Sequence, residues 1–220
     1  MLEKIRNGEQ KDLKSYTVTE THTRVVEETM RCWYDLRETD LSRADLTGIN
    51  LEGADLTGAN LEGADLTGAD LRKADMGKAN LTGANLAGAN LSGTKLSWAN
   101  FERANLEGAD LRKAKLYNAI LKGANLREAN LSWVVMMDPK GADLREANLE
   151  GADLTGANLR GANLRGANLE RTKLQKATLN WADMTGATLY RSDTRWVVSD
   201  ENTRWADGRS RPAKSSKEEE

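Results

Sequence analysis

Ala54-Asp-Leu-Thr-Gly-Ala-Asn-Leu-Glu-Gly-Ala-Asp-Leu-Thr-Gly-Ala-Asp-Leu71 decides the fold, because an apolar residue returns at every fifth position. Working outward, the same step places Leu41, Leu46, Leu51, Leu56, Leu61, Leu66, Leu71, Met76, Leu81, Leu86, Leu91 and Leu96 in one series, then Phe101 and Leu106 to Leu131. A second series runs from Leu144 to Leu189, with Met184 substituting once. Together these are 19 and 10 sites, and Leu36 extends the first series backwards by one. Two positions before each site stands a small residue, nearly always Ala, with Thr39, Ile49, Thr94 and Thr172 as exceptions. One position before stands Asp or Asn, with departures at Lys95, Lys115, Ile120, Lys173, Thr178 and Thr188.

A period of five suits neither regular element. On a helix it rotates successive leucines by ~500°, so they drift round the axis and form no stripe. On a flat strand an odd step sends successive leucines to opposite faces. Every Leu returns to one interior only if the backbone bends once per unit. Four bends of about 90° make a square coil of 20 residues, and stacked coils pair their backbones at roughly 4.8 Å. Gly at the end of many units suits the tight bend.

The Ala-(Asp/Asn)-Leu-X-X pattern, typified by Ala54-Asp-Leu-Thr-Gly and Ala152-Asp-Leu-Thr-Gly, resembles the pentapeptide-repeat family over roughly residues 36–194. The resemblance implies an all-β fold, a right-handed quadrilateral parallel β-helix, with Leu and the small residue both pointing inward. Seven to eight coils, a rod near 36 Å long, are expected at about 4.8 Å per coil.

The pattern breaks between Leu131 and Leu144, a span three residues longer than two units. If Met136 takes a central site, the excess falls within 137–141, and Pro139 suits a loop because it donates to no ladder. Asp138-Pro139-Lys140 is therefore expected to bulge outward while the coils continue. Residues 1–35 read as a helix over Leu2–Leu13 and a degenerate first coil or cap around Thr17–Val25. Residues 195–220 read as a C-terminal cap and a charged tail. Trp196, Val197, Val198 and Trp205 supply the lid or, in end-to-end pairing, a homodimer contact.

Composition narrows the function. The chain has 220 residues, 39% hydrophobic and 5% aromatic, and no apolar run approaches the roughly 18 residues of a spanning helix. Without a secretory-type apolar N-terminus the reading is cytoplasmic and not membrane-bound. His22 and Cys32 are the single His and Cys, too few for zinc and with nothing nearby to activate the thiol. The Asp residues before the leucines interchange with Asn, as backbone-bonding groups can and metal ligands or acid–base catalysts cannot. No enzyme activity, cofactor, metal or small-molecule substrate is therefore expected.

Adding 20 residues reads the surface columns. Arg72-Lys73 and Arg112-Lys113 then share a face, with Trp133 one coil further on, and Trp98 stands beside Tyr117. Trp and Arg are the residues that dominate protein interfaces, so these seven form the candidate partner surface. Some members of the resembling family interact with DNA gyrase by imitating duplex DNA. Outside 1–35 and 195–220, however, the chain carries 20 basic and 21 acidic residues. Duplex DNA carries a charge every ~1.7 Å, so a mimic needs a strongly negative surface. Direct nucleic-acid binding lacks a basic excess as well. The expectation is a non-catalytic scaffold presenting rigid faces to an unidentified protein, with gyrase or topoisomerase mimicry as the alternative.

Overall fold

The computed structural model describes residues 35–136 and 141–208. His22, Cys32, the N-terminal helix and cap, the Asp138-Pro139-Lys140 bulge and the tail beyond 208 lie outside the described residues. The chain winds as a four-sided parallel β-solenoid whose bridges join every fifth residue to the one 20 positions later, from Asp35↔Asp55 to Lys115↔Val135. The step widens to 23 at Ile120↔Asp143, Asn125↔Asn148, Asn130↔Asp153 and Val135↔Asn158, then returns to 20 as far as Thr178↔Val198. One ladder thus runs on both sides of the three-residue excess.

The four faces are named here by their inward centres. Face A carries Leu36, Leu56, Met76, Leu96, Leu116, Met136, Leu159 and Leu179. Face B begins at Leu41, face C at Leu46 and face D at Leu51, each stepping in the same way. From Leu56 to Met184 these centres are 0–1% exposed, and the alanines two positions before them are 0–2% exposed. Burying one Leu contributes about 1.5–3 kcal/mol, so the stacked centres dominate stability. Three of the four buried Thr residues that replace the inward Ala bond a carbonyl: Thr94 donates to Leu91 O (2.6 Å), Thr172 to Leu149 O (2.9 Å) and Thr203 to Leu179 O (2.9 Å). The Thr39 hydroxyl, in the first described coil, is buried without a partner among the described residues.

One unit, Leu56-Thr-Gly-Ala-Asn60, shows why five residues suffice. Leu56 N–H donates to Asp75 O (2.6 Å), Gly58 N–H to Gly77 O (2.8 Å) and Asn60 N–H back to Thr39 O (2.9 Å). Ala59 N–H closes the bend on Leu56 O (3.0 Å). The fifth donor, Thr57 N–H, meets the Asp55 carboxylate (3.0 Å). All five backbone donors are satisfied, and the Asp/Asn position exists to satisfy the last one.

The bend is a type II turn, whose second central residue needs φ > 0. All 31 such positions in the described repeats have positive φ, and only 15 of them are Gly. Gly141 is a different case, because a Cβ added there would stand 2.2 Å from Gly161 O, so only Gly fits after the interruption. At the C-terminal end, Val197 and Trp205 pack partly buried against the core, whereas Trp196 and Val198 are exposed. Two of the four residues expected to form the lid therefore face solvent.

Candidate functional site

Four of the 16 non-Gly residues held at positive φ are tryptophans: Trp98, Trp133, Trp181 and Trp196. Their φ values are 57–65° and they are 56–66% exposed. An L-residue held in left-handed backbone costs on the order of 1 kcal/mol or more, so bulky Trp is an expensive choice at a corner where Gly is free. Trp98 and Trp181 stand on the corner between faces A and B. Trp133 and Trp196 stand on the corner between D and A. Every exposed Trp of the described chain therefore flanks face A.

The sequence-derived candidates separate on this frame. Arg72 and Arg112 point from face D and are held by neighbouring carboxylates. Arg72 donates to Asp70 (2.8 and 2.6 Å) and to Glu52 (2.9 Å), and Arg112 to Asp110 (2.9 and 2.7 Å). The Arg72 hydrogen bond pulls the Asp70 carboxyl below its ordinary value. Lys73 reaches Glu52 (3.2 Å), whereas Lys113 makes no ion pair among the described residues. Lys73, Lys113 and Trp133 share the D–A corner. Trp98 stands across the face on the A–B corner, with its N–H donating to Tyr117 O (2.8 Å). The seven residues thus bracket face A from both sides.

Between them lies a column that sequence inspection noted only as scattered exceptions. On face A the position before the centre reads Asp35, Asp55, Asp75, Lys95, Lys115, Val135, Asn158, Thr178 and Val198. Lys95 donates to Asp75 (2.9 Å). Burial works against ionising Asp75, but the hydrogen bonds from Lys95 and Gly77 N–H outweigh it and lower its pKa. Of the nine described residues that replace Asp or Asn in this position, five lie on face A: Lys95, Lys115, Val135, Thr178 and Val198. Lys and Val cannot accept a hydrogen bond, so the fifth backbone donor of the unit loses its carboxamide or carboxylate there. The departures on this one face give up local stability. A sequence signal for it existed: Trp-Val-Val recurs at 133–135 and 196–198, in one column three coils apart.

Trp133 shows how such a side chain sits. A Cβ built on Gly156, directly beneath it, would lie 2.7–2.9 Å from the six-membered ring, so the indole covers Gly156 and leaves its other side open. Near the end of the rod Arg195 stacks over Trp196 at 5.3 Å. Among the described residues no group of three His, Cys, Asp or Glu side chains could hold a metal, and no helix is long and apolar enough to cross a membrane.

The family model described as pentapeptide repeats matches residues 35–72, 64–103, 94–132, 138–161 and 152–191, with eight copies. The chain belongs to this family. Its members' right-handed quadrilateral β-helix agrees with the four-sided ladder described above. Solved structures similar to the chain include HetL, a pentapeptide repeat protein involved in heterocyst differentiation regulation from the cyanobacterium Nostoc sp. strain PCC 7120. It is 31% identical over 76% of this chain and 94% of its own, with a TM-score of 0.24. A pentapeptide repeat protein from the Arabidopsis thaliana thylakoid lumen is 32% identical over 49% of this chain and 70% of its own, with a TM-score of 0.37. QnrB1, a plasmid-mediated fluoroquinolone resistance protein, is 21% identical over 73% and 88%, with a TM-score of 0.41. No curated protein matches the sequence.

Proposed function

We propose that the chain is a non-catalytic scaffold that displays a rigid flat face to a protein partner, and that face A with its two bounding corners is that face. The supporting observation is the placement of Trp98, Trp133, Trp181 and Trp196 at positive-φ corners flanking a single face. The Leu and Ala interior closes without these indoles, and Trp133, which covers Gly156 on one side, leaves its other side open. Aromatic anchors on a stiff backbone bind with little loss of conformational entropy. The packed interior makes the rod stiff, and the two turn residues of each unit select the partner.

Imitation of duplex DNA toward gyrase is the weaker reading. Face C with its corner to D is the most acidic side, with Asp45, Asp65, Glu107, Glu128, Glu150 and Glu170 against Arg127, Arg171 and Arg191. A net of three negative charges is far from the roughly 20 that duplex DNA carries over a comparable length.

The test is a pull-down from the source cells with the full chain and its Trp98→Gly/Trp133→Gly variant. Gly suits both corners, so circular dichroism should not change. A partner held by the native chain is expected to be lost or weakened by about tenfold with the variant, as befits two interface tryptophans. Equal recovery with both chains removes face A from consideration.

A further inference from the structure

We infer that the C-terminal half of face A, from Gly93 to Val198, recognises an acidic protein segment that also carries apolar side chains. This rests on the protein-interaction reading above and names the chemistry of the partner. Across this stretch the face and its corners present Lys95, Lys113, Lys115, Arg160 and Lys176 together with Trp98, Tyr117, Trp133, Trp181, Trp196, Val135 and Val198. Among the described residues of that stretch there is no Asp or Glu. Carboxylates touch it from its borders, Asp75 at Lys95 and Asp200, just past Val198, which accepts from Trp181 N–H (3.1 Å). Lys113, Lys115, Arg160 and Lys176 make no ion pair with any described residue, and Lys95 pairs only with Asp75 from the coil before.

On the other faces cations alternate with carboxylates, some paired in place and others, such as Arg103, Lys122 and Arg165, without an ion pair among the described residues. Arg112 lies on Asp110, Arg145 on Asp143 and Arg195 on Asp193, while Lys173 faces Asp153, Arg127 faces Glu107 and Arg171 faces Glu150. What sets the C-terminal half of face A apart is that its cations, all but Lys95 without an ion pair among the described residues, stand beside aromatic rings with no described carboxylate among them. This arrangement complements carboxylates next to apolar groups.

Two other anionic partners fit less well. Trp133 and Trp196 are three coils apart, about 14 Å at the usual strand spacing, too far for successive bases to stack on them. Val135 and Val198 are separated by Asn158 and Thr178, so the face offers no continuous apolar strip to sink into a lipid surface. A chain segment laid lengthwise needs neither feature. It can place carboxylates over the Lys95–Lys115 row and apolar side chains against the flanking indoles.

The probe is a labelled random copolymer of glutamate and tyrosine, titrated with the full chain at low and high salt. Binding is expected, weakening by roughly tenfold or more at high salt as the Debye length shortens. Lys95→Glu/Lys113→Glu/Lys115→Glu should abolish it, and Trp98→Gly/Trp133→Gly should weaken it about tenfold. Glu170→Lys on face C should leave it unchanged. The inference is overturned if the copolymer is not bound, if the triple variant binds it equally, or if phosphatidylglycerol vesicles or a single-stranded oligonucleotide bind more tightly. A cellular partner that remains tryptophan-dependent while the copolymer is ignored would sink only the acidic assignment. Tryptophan-independent capture would sink the interaction reading itself.

Discussion

Face C and the C-terminal half of face A cover the same interior, yet they use the position before the central Leu for opposite purposes. On face C that position reads Asp65, Asn85, Asn105, Asn125, Asn148, Asn168 and Thr188, and from Asn85 onward each side chain donates to the one in the preceding coil. The bonds run unbroken: Asn85 to Asp65 (3.4 Å), Asn105 to Asn85 (2.9 Å), Asn125 to Asn105 (3.0 Å), Asn148 to Asn125 (3.4 Å), Asn168 to Asn148 (3.1 Å) and Thr188 to Asn168 (2.9 Å). The amide oxygens also accept backbone donors, as Asn105 does from Glu107 N–H (3.3 Å). Face A replaces this ladder with Lys95, Lys115 and Val135 and sets tryptophans at its corners. The comparison shows that the repeat has one structural obligation inside and a choice outside. Where the choice goes against stability, on one face above all, the binding role proposed above supplies a physical reason for it.

If the difference is confined to the outside, the interior should respond alike on both faces, and this is the largest expected effect. Leu106→Ala beneath face C and Leu116→Ala beneath face A each remove a fully buried side chain. Each should cost about 2–5 kcal/mol, and the two should agree closely. Urea denaturation followed by circular dichroism measures both. A much cheaper Leu116→Ala would mean that the interior under face A is looser, and the contrast between the faces would no longer be one of surface alone.

The outside column should then divide the faces at a smaller scale. Asn105→Ala removes the bond to Asn85, the bond from Asn125 and the acceptor for Glu107 N–H. At roughly 0.5–1.5 kcal/mol per net hydrogen bond, a loss of about 1–3 kcal/mol is expected for these partly exposed groups. Lys115→Ala removes no described side-chain hydrogen bond or ion pair and should stay within about 0.5 kcal/mol of the native chain. Parallel denaturation curves for the two variants would break the comparison if they shifted equally.

How much of this was legible beforehand follows from the same division. The period of five was enough to require a bend per unit, because no straight element returns Leu41, Leu46 and Leu51 to one side. The ladder across the 131–144 interruption was reachable from Met136 occupying a centre. The surface was harder to read. Stepping by 20 aligned Lys73, Lys113 and Trp133, but it did not reveal that Trp98 stands on the far side of the same face. Nor did it show that Arg72 and Arg112 are occupied by Asp70 and Asp110. Which cation is free depends on side-chain reach across a corner, and this is invisible to a column count. The positive φ at the Trp positions could have been read from Gly sharing their place in the unit. The exposure of Trp196 and Val198 could not, since a terminal Trp-Val-Val fits a lid as well as it fits a display edge.

Acid supplies the smallest and most local contrast. From Asn85 to Thr188 the face C ladder contains no titratable group, whereas the matching column on face D includes Asp70, Asp110, Asp153 and Asp193. The Arg195 guanidinium donates to the Asp193 carboxylate, and this bond outweighs the opposing loss of hydration and holds its pKa at about 2. Because the folded value lies below the unfolded one of roughly 3.9, the ionised form is what the fold favours. Any contribution it makes is fully present above about pH 4 and is lost as pH falls through about 2. The midpoint of the Asp193 carboxyl carbon shift by NMR should accordingly lie near 2, and Arg195→Ala should move it upward toward the ordinary carboxylate value. The carboxamide shift of Asn105, whose side chain bonds Asn85, Asn125 and a backbone N–H, should not titrate over that window. A midpoint for Asp193 already at the ordinary value in the native chain would show that Arg195 does not hold it in solution, and the pairing of face D arginines with the carboxylates of their own column would weaken at this site.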